Sequence, residues 1–167
     1  YENKLEGKTS KATLFVQEFR DDISHELENL AYVSGIHSRF NLDPGLNRFY
    51  RPMYREWLDN ACNTPESTVF TSYADDAGIP HLSGMITISL AQRKSVVGLL
   101  AVDEKYRGRG FGSALLQAGE RWSIEHGAEY CEVGTQLANK QACRLYEKNR
   151  FISQTVIPVY HFWKNHK

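Results

Sequence analysis

A nearly unbroken apolar run, Ser95 to Val102 (SVVGLLAV), leads directly into Asp103 to Ser113 (DEKYRGRGFGS). This junction constrains the fold more than any other stretch of the chain. A strand that is apolar on both faces must be covered on both faces, which asks for an inner strand of an α/β sheet. Gly108, Gly110 and Gly112 then crowd into the few residues ahead of an amphipathic stretch from Phe111 to Glu125. Glycine tolerates positive φ and lets the backbone approach a ligand closely. A strand, a glycine turn and a helix start in succession therefore present N–H groups and a helix dipole to an anion, a phosphate or pyrophosphate above all. Arg107 and Arg109 add fixed positive charge with planar donors.

The rest of the chain fits an alternation of strands and helices. A first strand is expected within Ala12 to Phe19, after a polar N-terminal dozen read as frayed. Asp21, Asp22 and Ser24 offer N-cap chemistry for a helix through Leu27 and Leu30 to about Ser34. Asp43-Pro44-Gly45 breaks the chain. A helix from about Asn47 to Asn60 comes next, with Phe49, Met53, Tyr54 and Trp57 near helical spacing. Thr68 to Tyr73 and Leu82 to Leu90 read as strands joined by the turn Asp75-Asp76-Ala77-Gly78, and Arg93-Lys94 turns the chain into the apolar run. After the Phe111 to Glu125 helix, His126-Gly127 stops it. A strand at Glu129 to Thr135, a helix at Asn139 to Lys148 and a final strand or strand pair at Phe151 to Trp163, broken at Pro158, complete the order. The expected class is α/β, one domain over residues 1–167, with a mixed sheet that is antiparallel early and parallel late.

Composition narrows the function. The formal net charge is +0, which argues against nucleic acid as the main partner, because that partner usually requires a strongly basic face. No stretch approaches the roughly 20 apolar residues of a membrane span. Cys62, Cys131 and Cys143 are odd in number and widely spaced, so neither a disulfide framework nor a metal site is expected, and reduced thiols in a cytoplasmic protein fit best.

Two familiar phosphate motifs do not fit. The spacing R-G-R-G-F-G is not G-x-G-x-x-G at the start of a βαβ unit, and Gly112-Ser113 lacks the lysine of a P-loop. The segment instead resembles the Gln/Arg-x-x-Gly-x-Gly/Ala motif of GNAT acetyltransferases, with Arg107, Gly110 and Gly112 on its defining positions. Asn139-Lys140-Gln141-Ala142-Cys143-Arg144-Leu145-Tyr146-Glu147-Lys148-Asn149-Arg150-Phe151 resembles the same family's N-x-x-A-x-x-L-Y-E-K-x-G-F block. Arg150 departs from it, since a glycine normally closes that helix in left-handed geometry. More narrowly, Ser34 to Pro44, the Tyr54-x-x-Trp57 helix, Gly98 to Asp103 and Val159 to Trp163 resemble dTDP-fucosamine acetyltransferases.

The resemblance implies a GNAT-like single domain, with a central mixed sheet flanked by helices, that uses acetyl-CoA as co-substrate and no metal. It assigns the cofactor to Leu100, Ala101, Val102, Arg107, Gly108, Arg109, Gly110, Gly112, Ser113, Asn139 and Ala142. The pantetheine arm would enter a splay between the strand ending at Val102 and the strand Glu129 to Thr135. It makes Tyr146 the general acid for the departing thiolate. Asn139 serves either the pantetheine arm or its own helix as a cap. The acceptor is expected to be a small-molecule amine, an amino-deoxy sugar on a dTDP carrier, held by His37, Ser38 and Arg39. Arg48, Arg51 and Arg55 extend a local basic patch suited to a diphosphate, with a solvated helix face as the alternative. No general base stands out; His37, Glu132 and His161 are candidates. Cys131 and Cys143 have no histidine nearby in sequence to activate a covalent route. Other amines, namely a polyamine, an aminoglycoside or a peptide N-terminus, remain alternatives. So does a non-catalytic acetyl-CoA-binding regulator. An exposed C-terminal strand offers a surface for a homodimer.

Overall fold

The computed structural model describes residues 1–4 and 15–160. Its centre is one six-stranded sheet in the order β1-β6-β5-β4-β3-β2. The strands are β1 (Glu2–Lys4), β2 (Val16–Glu18), β3 (Ser67–Asp76), β4 (Ile79–Ala91), β5 (Lys94–Val102) and β6 (Tyr130–Val133). Only β5 and β6 pair in parallel; every other neighbouring pair is antiparallel. The helices are α1 (His25–Ser34), α2 (Arg39–Leu42), α3 (Asn47–Asn63), α4 (Phe111–Glu125) and α5 (Lys140–Lys148).

Local chemistry sets most boundaries. Ser24 is the N-cap of α1, its hydroxyl accepting from Leu27 N at 3.2 Å, which satisfies one of the orphan donors of the first turn. Ala77 and Gly78 both have positive φ (55° and 84°), as a two-residue hairpin turn between twisted strands requires. Gly127, at φ 81°, comes just after the end of α4, as expected.

Each face of the sheet buries a separate core. On one, Leu27, Leu30 and Ala31 of α1 and Tyr50, Tyr54 and Leu58 of α3 pack with Val69, Met85, Leu99 and Ala101. On the other, Leu115, Leu116 and Trp122 of α4 and Tyr146 of α5 pack with Ile86, Ile88, Val97, Cys131 and Val133. The apolar run of β5 therefore feeds both cores, which is why it lacks alternation.

The structure differs from the sequence expectation at four places. The α3 side chains fully buried in the core are Tyr50, Tyr54 and Leu58, with Met53 packed against them, while Phe49 and Trp57 are exposed; of the expected positions Met53 and Tyr54 face the core and Phe49 and Trp57 do not. The first residues are not simply frayed, since β1 pairs antiparallel with β6. The Ala12 to Phe19 strand is Val16–Glu18, and residues 12–14 lie outside the described residues. The C-terminal strand does not form among the described residues: Ile152 makes one isolated bridge to Glu2, and no strand lies between it and Tyr160. The outer edge of β6 is taken by β1, and β1 is only three residues long, so its own far edge offers the stretch after Phe151 the single Ile152 bridge and no longer ladder. Residues 161–163 lie outside the described residues. The homodimer expectation is thus left without its strand.

Candidate active site

The site is organised by a defect in the β4–β5 ladder. Ile88 pairs with Val97 and Ile86 with Leu100, so Gly98 and Leu99 together face the single residue Thr87. This is a β-bulge, which bends a strand and re-aims the residues beyond it. Leu99 N donates to the Thr87 hydroxyl at 2.8 Å, in the buried interior, so a side chain supplies the acceptor that the ladder lacks there. Gly98 makes room for it. A Cβ at position 98 would lie 2.8 Å from Thr87 Oγ1, closer than real Cβ contacts come.

The bulge coincides with the end of the β5–β6 ladder, whose last pair is Val97 with Val133. Beyond it the two strands part. Asp103 N donates to Ser83 O on β4 at 2.8 Å, and Leu99 N turns toward Thr87 on the same strand. Strand periodicity sends the intervening N–H groups of Leu100 and Val102 to the opposite edge, into the gap toward β6. Val102 O also lies on that edge, where it accepts from Arg107 Nε at 3.0 Å.

The glycine turn closes one end of this gap. Gly108 (φ 76°) and Gly110 (φ 92°) are left-handed, and Gly110 is the N-cap of α4 with no side chain capping it. The first N–H groups of α4 therefore lack a side-chain partner, and the dipole adds to their attraction for an anion. A Cβ on Gly108 would meet nothing within 4 Å; that glycine is favoured by its φ alone. Gly112 has a different reason. A Cβ there would stand 3.1 Å from Leu145 Cδ2, so it lets α4 lie close to α5. The turn is anchored from behind. Asp76 Oδ2 accepts from Lys105 Nζ (2.6 Å) and from Tyr106 Oη (3.1 Å), and Lys105 first, then the Tyr106 hydroxyl, hold the Asp76 carboxyl below its ordinary pKa. Arg107 and Arg109 are exposed, and among the described residues neither meets a carboxylate within 4 Å.

From α5 comes Tyr146, 5% exposed. It packs in the same cluster as Val97, Val133, Leu100 and Val102, the residues that border the gap. Burial first, then the nearby Cys143 and Cys131 thiols, push its pKa well above the ordinary tyrosine value. Among the described residues its hydroxyl has no hydrogen-bond partner. Asn139 Oδ1 accepts from Ala142 N at 3.1 Å, so Asn139 is the α5 N-cap and the Ala142 N–H is spent on it. Ser113 Oγ accepts from Asn149 Nδ2 at 3.0 Å. Arg150 has φ 67°; the helix ends in left-handed geometry as the family pattern requires, and arginine bears it.

The other sequence-predicted group lies across the sheet. Ser38 is buried and its hydroxyl has no partner in hydrogen-bonding geometry among the described residues. It is near enough to lower the pKa of the Tyr54 phenol, against the larger upward effect of burial. His37 is exposed. The Arg39 guanidinium lies 4.8 Å from the centre of the Phe40 ring, whose edge meets Trp57. The basic patch is smaller than its sequence suggests. Arg55 pairs with Glu28 and Asp59, each at 3.0 Å, whereas Arg39, Arg48 and Arg51 lie over aromatic rings and form no ion pair among the described residues.

Two residues of this site are not found by sequence reasoning. Gly98 carries a signal, since a glycine inside a strand run often marks a bulge. Thr87 carries none, being one β-branched residue among several.

The family model of the acetyltransferase (GNAT) family matches residues 31–151, a range that takes in the bulge, the glycine turn and Tyr146. The chain is 33% identical over 60 residues to N-alpha-acetyltransferase 30 of Xenopus laevis, a match covering 36% of this chain and 22% of that protein. The chain thus spans about a fifth of the length of that curated relative. A Bacillus subtilis acetyltransferase solved in complex with CoA superposes with a TM-score of 0.60 at 21% identity, covering 86% of this chain and 79% of the other. A PaiA N-acetyltransferase of Thermoplasma acidophilum, in complex with coenzyme A, gives 0.61 at 18% identity, covering 80% and 87%. At such identities these two likenesses speak for the fold. The family model spans most of the chain, and on that match the protein belongs to the acetyltransferase (GNAT) family.

Proposed function

We propose that the chain transfers the acetyl group of acetyl-CoA to a primary amine by direct attack. The observation that carries this reading is the edge of β5 at Leu100–Val102 that faces the gap and, among the described residues, pairs with no strand, running from the Thr87-clamped bulge to the uncapped start of α4. That edge suits an extended amide-bearing arm, which adds to a sheet like a strand. The glycine turn with Arg107 and Arg109 suits the pyrophosphate. Acetyl-CoA supplies the activated acyl group, and its thioester carbonyl would come to lie near the bulge. The N–H group of Leu100, the one next to the bulge, faces the gap and suits the negative charge that develops on the carbonyl oxygen, while that of Val102 lies about two residues further along the arm. The neutral amine nitrogen bonds to the carbonyl carbon, the C–S bond breaks, Tyr146 gives its proton to the thiolate, and the nitrogen loses its extra proton to water, from which the phenolate regains one. A phenol held above its ordinary pKa remains protonated at neutral pH, as this role requires.

Arg39, Arg48 and Arg51, free of carboxylate partners among the described residues, together with the orphaned Ser38 hydroxyl, support an acceptor that carries phosphate outside the reacting amine. That agrees with the resemblance to enzymes acting on dTDP-linked amino sugars. The segment match to an N-alpha-acetyltransferase favours a peptide N-terminus as the second reading.

The experiment is a thiol-release assay with acetyl-CoA and a panel of dTDP-linked amino-deoxy sugars, peptide N-termini and polyamines. Release confined to nucleotide amino sugars supports the full reading. Release with peptides alone replaces the acceptor and keeps the reaction. Binding of acetyl-CoA without release from any amine makes the chain a regulator.

A further inference from the structure

A cavity of about 370 Å³ opens beside the bulge, on the α3 side of the sheet. Its walls are Trp57, Asn60, Ala61 and Thr64 at the C-terminal end of α3, with Thr87 and Ser89 of β4 and the bulge residues Gly98 and Leu99. None of the residues lining it is charged. Trp57 remains 41% exposed although it touches both Tyr54 and Phe40, so part of a large aromatic surface stays uncovered in the cavity wall. The neutral hydrogen-bonding groups are the Asn60 carboxamide and the hydroxyls of Thr64, Ser67 and Ser89. The Thr87 hydroxyl already accepts from Leu99.

We infer that this cavity receives the body of the amine acceptor, and that the body is an uncharged ring bearing hydroxyl or carbonyl groups. The inference rests on the acetyl-transfer reading and adds the chemistry of the acceptor to it. A mainly apolar pocket with a few placed polar groups selects by shape and orientation. An exposed indole face suits a flat or ring-shaped partner with an apolar side. The absence of a carboxylate in the walls gives a second ammonium nothing to pair with, and the absence of a cation does the same for a carboxylate. Either charge inside the cavity would be desolvated without compensation. Charge on the acceptor is therefore tolerated outside, toward Arg39, which reaches the cavity wall through Phe40 and Trp57. The bulge residues Gly98 and Leu99 belong to the cavity wall and lead directly into Leu100, which brings the amine of a bound ring close to the edge of β5. Trp57, Asn60 and Ala61 are on this account the specificity-determining residues.

The test uses three matched six-membered-ring primary amines: one bearing hydroxyls only, one bearing an added carboxylate and one bearing a second ammonium. Thiol release is measured with each, and tryptophan emission is titrated without acetyl-CoA. The hydroxylated ring is expected to show a kcat/KM at least about tenfold above either charged ring, and to quench emission in the wild type but not in Trp57→Phe. Ala61→Leu, which fills the cavity, is expected to raise the acceptor KM roughly tenfold or more while the acetyl-CoA Kd stays unchanged. Charged rings turned over as well as the neutral one would overturn the inference. So would an unchanged acceptor KM in both Trp57→Phe and Ala61→Leu with turnover intact, a result that leaves acetyl transfer standing. Absence of release with these rings and with the dTDP-linked amino sugars, peptides and polyamines alike overturns the acetyl-transfer reading, and this inference with it.

Discussion

Thr87 carries more of the site than its place in an apolar strand suggests. Its hydroxyl is the acceptor for Leu99 N at the bulge, and the bulge aims Leu100 and Val102 at the gap. Thr87→Val keeps the shape and removes the acceptor, leaving a buried N–H unpaired at a cost of about 1–3 kcal/mol. We expect it to raise the KM for acetyl-CoA and to lower the melting temperature, with Thr87→Ser restoring both. A stability loss with unchanged kinetics would reduce Thr87 to a packing residue. Arg150 offers a complementary case. In left-handed geometry a side chain costs about 1–2 kcal/mol, while glycine's extra chain entropy costs about 0.5–1 kcal/mol. Arg150→Gly is therefore expected to raise the melting point slightly, as calorimetry would measure. The sequence alone marks Arg150, because the family block around it expects a glycine. It cannot mark Thr87, because a bulge clamp depends on which residue lies across the ladder.

At the scale of elements, the turn before α4 depends on a distant anchor. Asp76 ends β3 and holds Lys105 and Tyr106, so it steadies the strand-to-turn junction although it touches no proposed ligand group. Asp76→Asn is expected to weaken acetyl-CoA binding without abolishing turnover, which calorimetry and steady-state kinetics together can check. The carboxyl is held below its ordinary pKa in the folded state. Its contribution to stability is thus full above the unfolded value, near 3.9 for Asp, and fades as pH falls through the lower folded value. Between pH 5 and 3 the wild type should lose more stability than Asp76→Asn. Most elements are legible in the sequence because caps and turns mark their ends: Ser24 starts α1, Asn139 starts α5, Gly127 sits just past α4 and Ala77-Gly78 closes the hairpin. The C-terminal segment reads as a strand and among the described residues is not one, because β-propensity needs a long enough edge to pair with: β1 covers that of β6, and three-residue β1 itself gives only the Ile152 bridge. The buried face of α3 is not fully legible because Phe49 and Trp57 are as apolar as Tyr50 and Leu58, and only the neighbouring sheet decides which face is buried.

For the whole molecule, the sheet has one core on each face and a gap between β5 and β6, with the glycine turn at its end and the acceptor cavity beside the bulge. This division suits a chain with formal net charge +0 to the polyanionic co-substrate proposed for it. The cationic groups are local, at Arg107 and Arg109 and around Arg39, while the cavity walls are neutral. The sequence motifs locate the turn and Tyr146, which are local in the chain. The cavity joins α3, β4 and β5, and no single segment announces it. The central claim is that Tyr146 serves acetyl transfer as a proton donor in an otherwise intact cofactor site. Because the phenol has no hydrogen-bond partner among the described residues, Tyr146→Phe should disturb little else. The most direct measurement is acetyl-CoA affinity by calorimetry and kcat by thiol release on the same Tyr146→Phe preparation. The account predicts an unchanged Kd with kcat lowered about 10²- to 10⁴-fold. Turnover at the wild-type rate, or a wild-type chain that fails to bind acetyl-CoA, would contradict it.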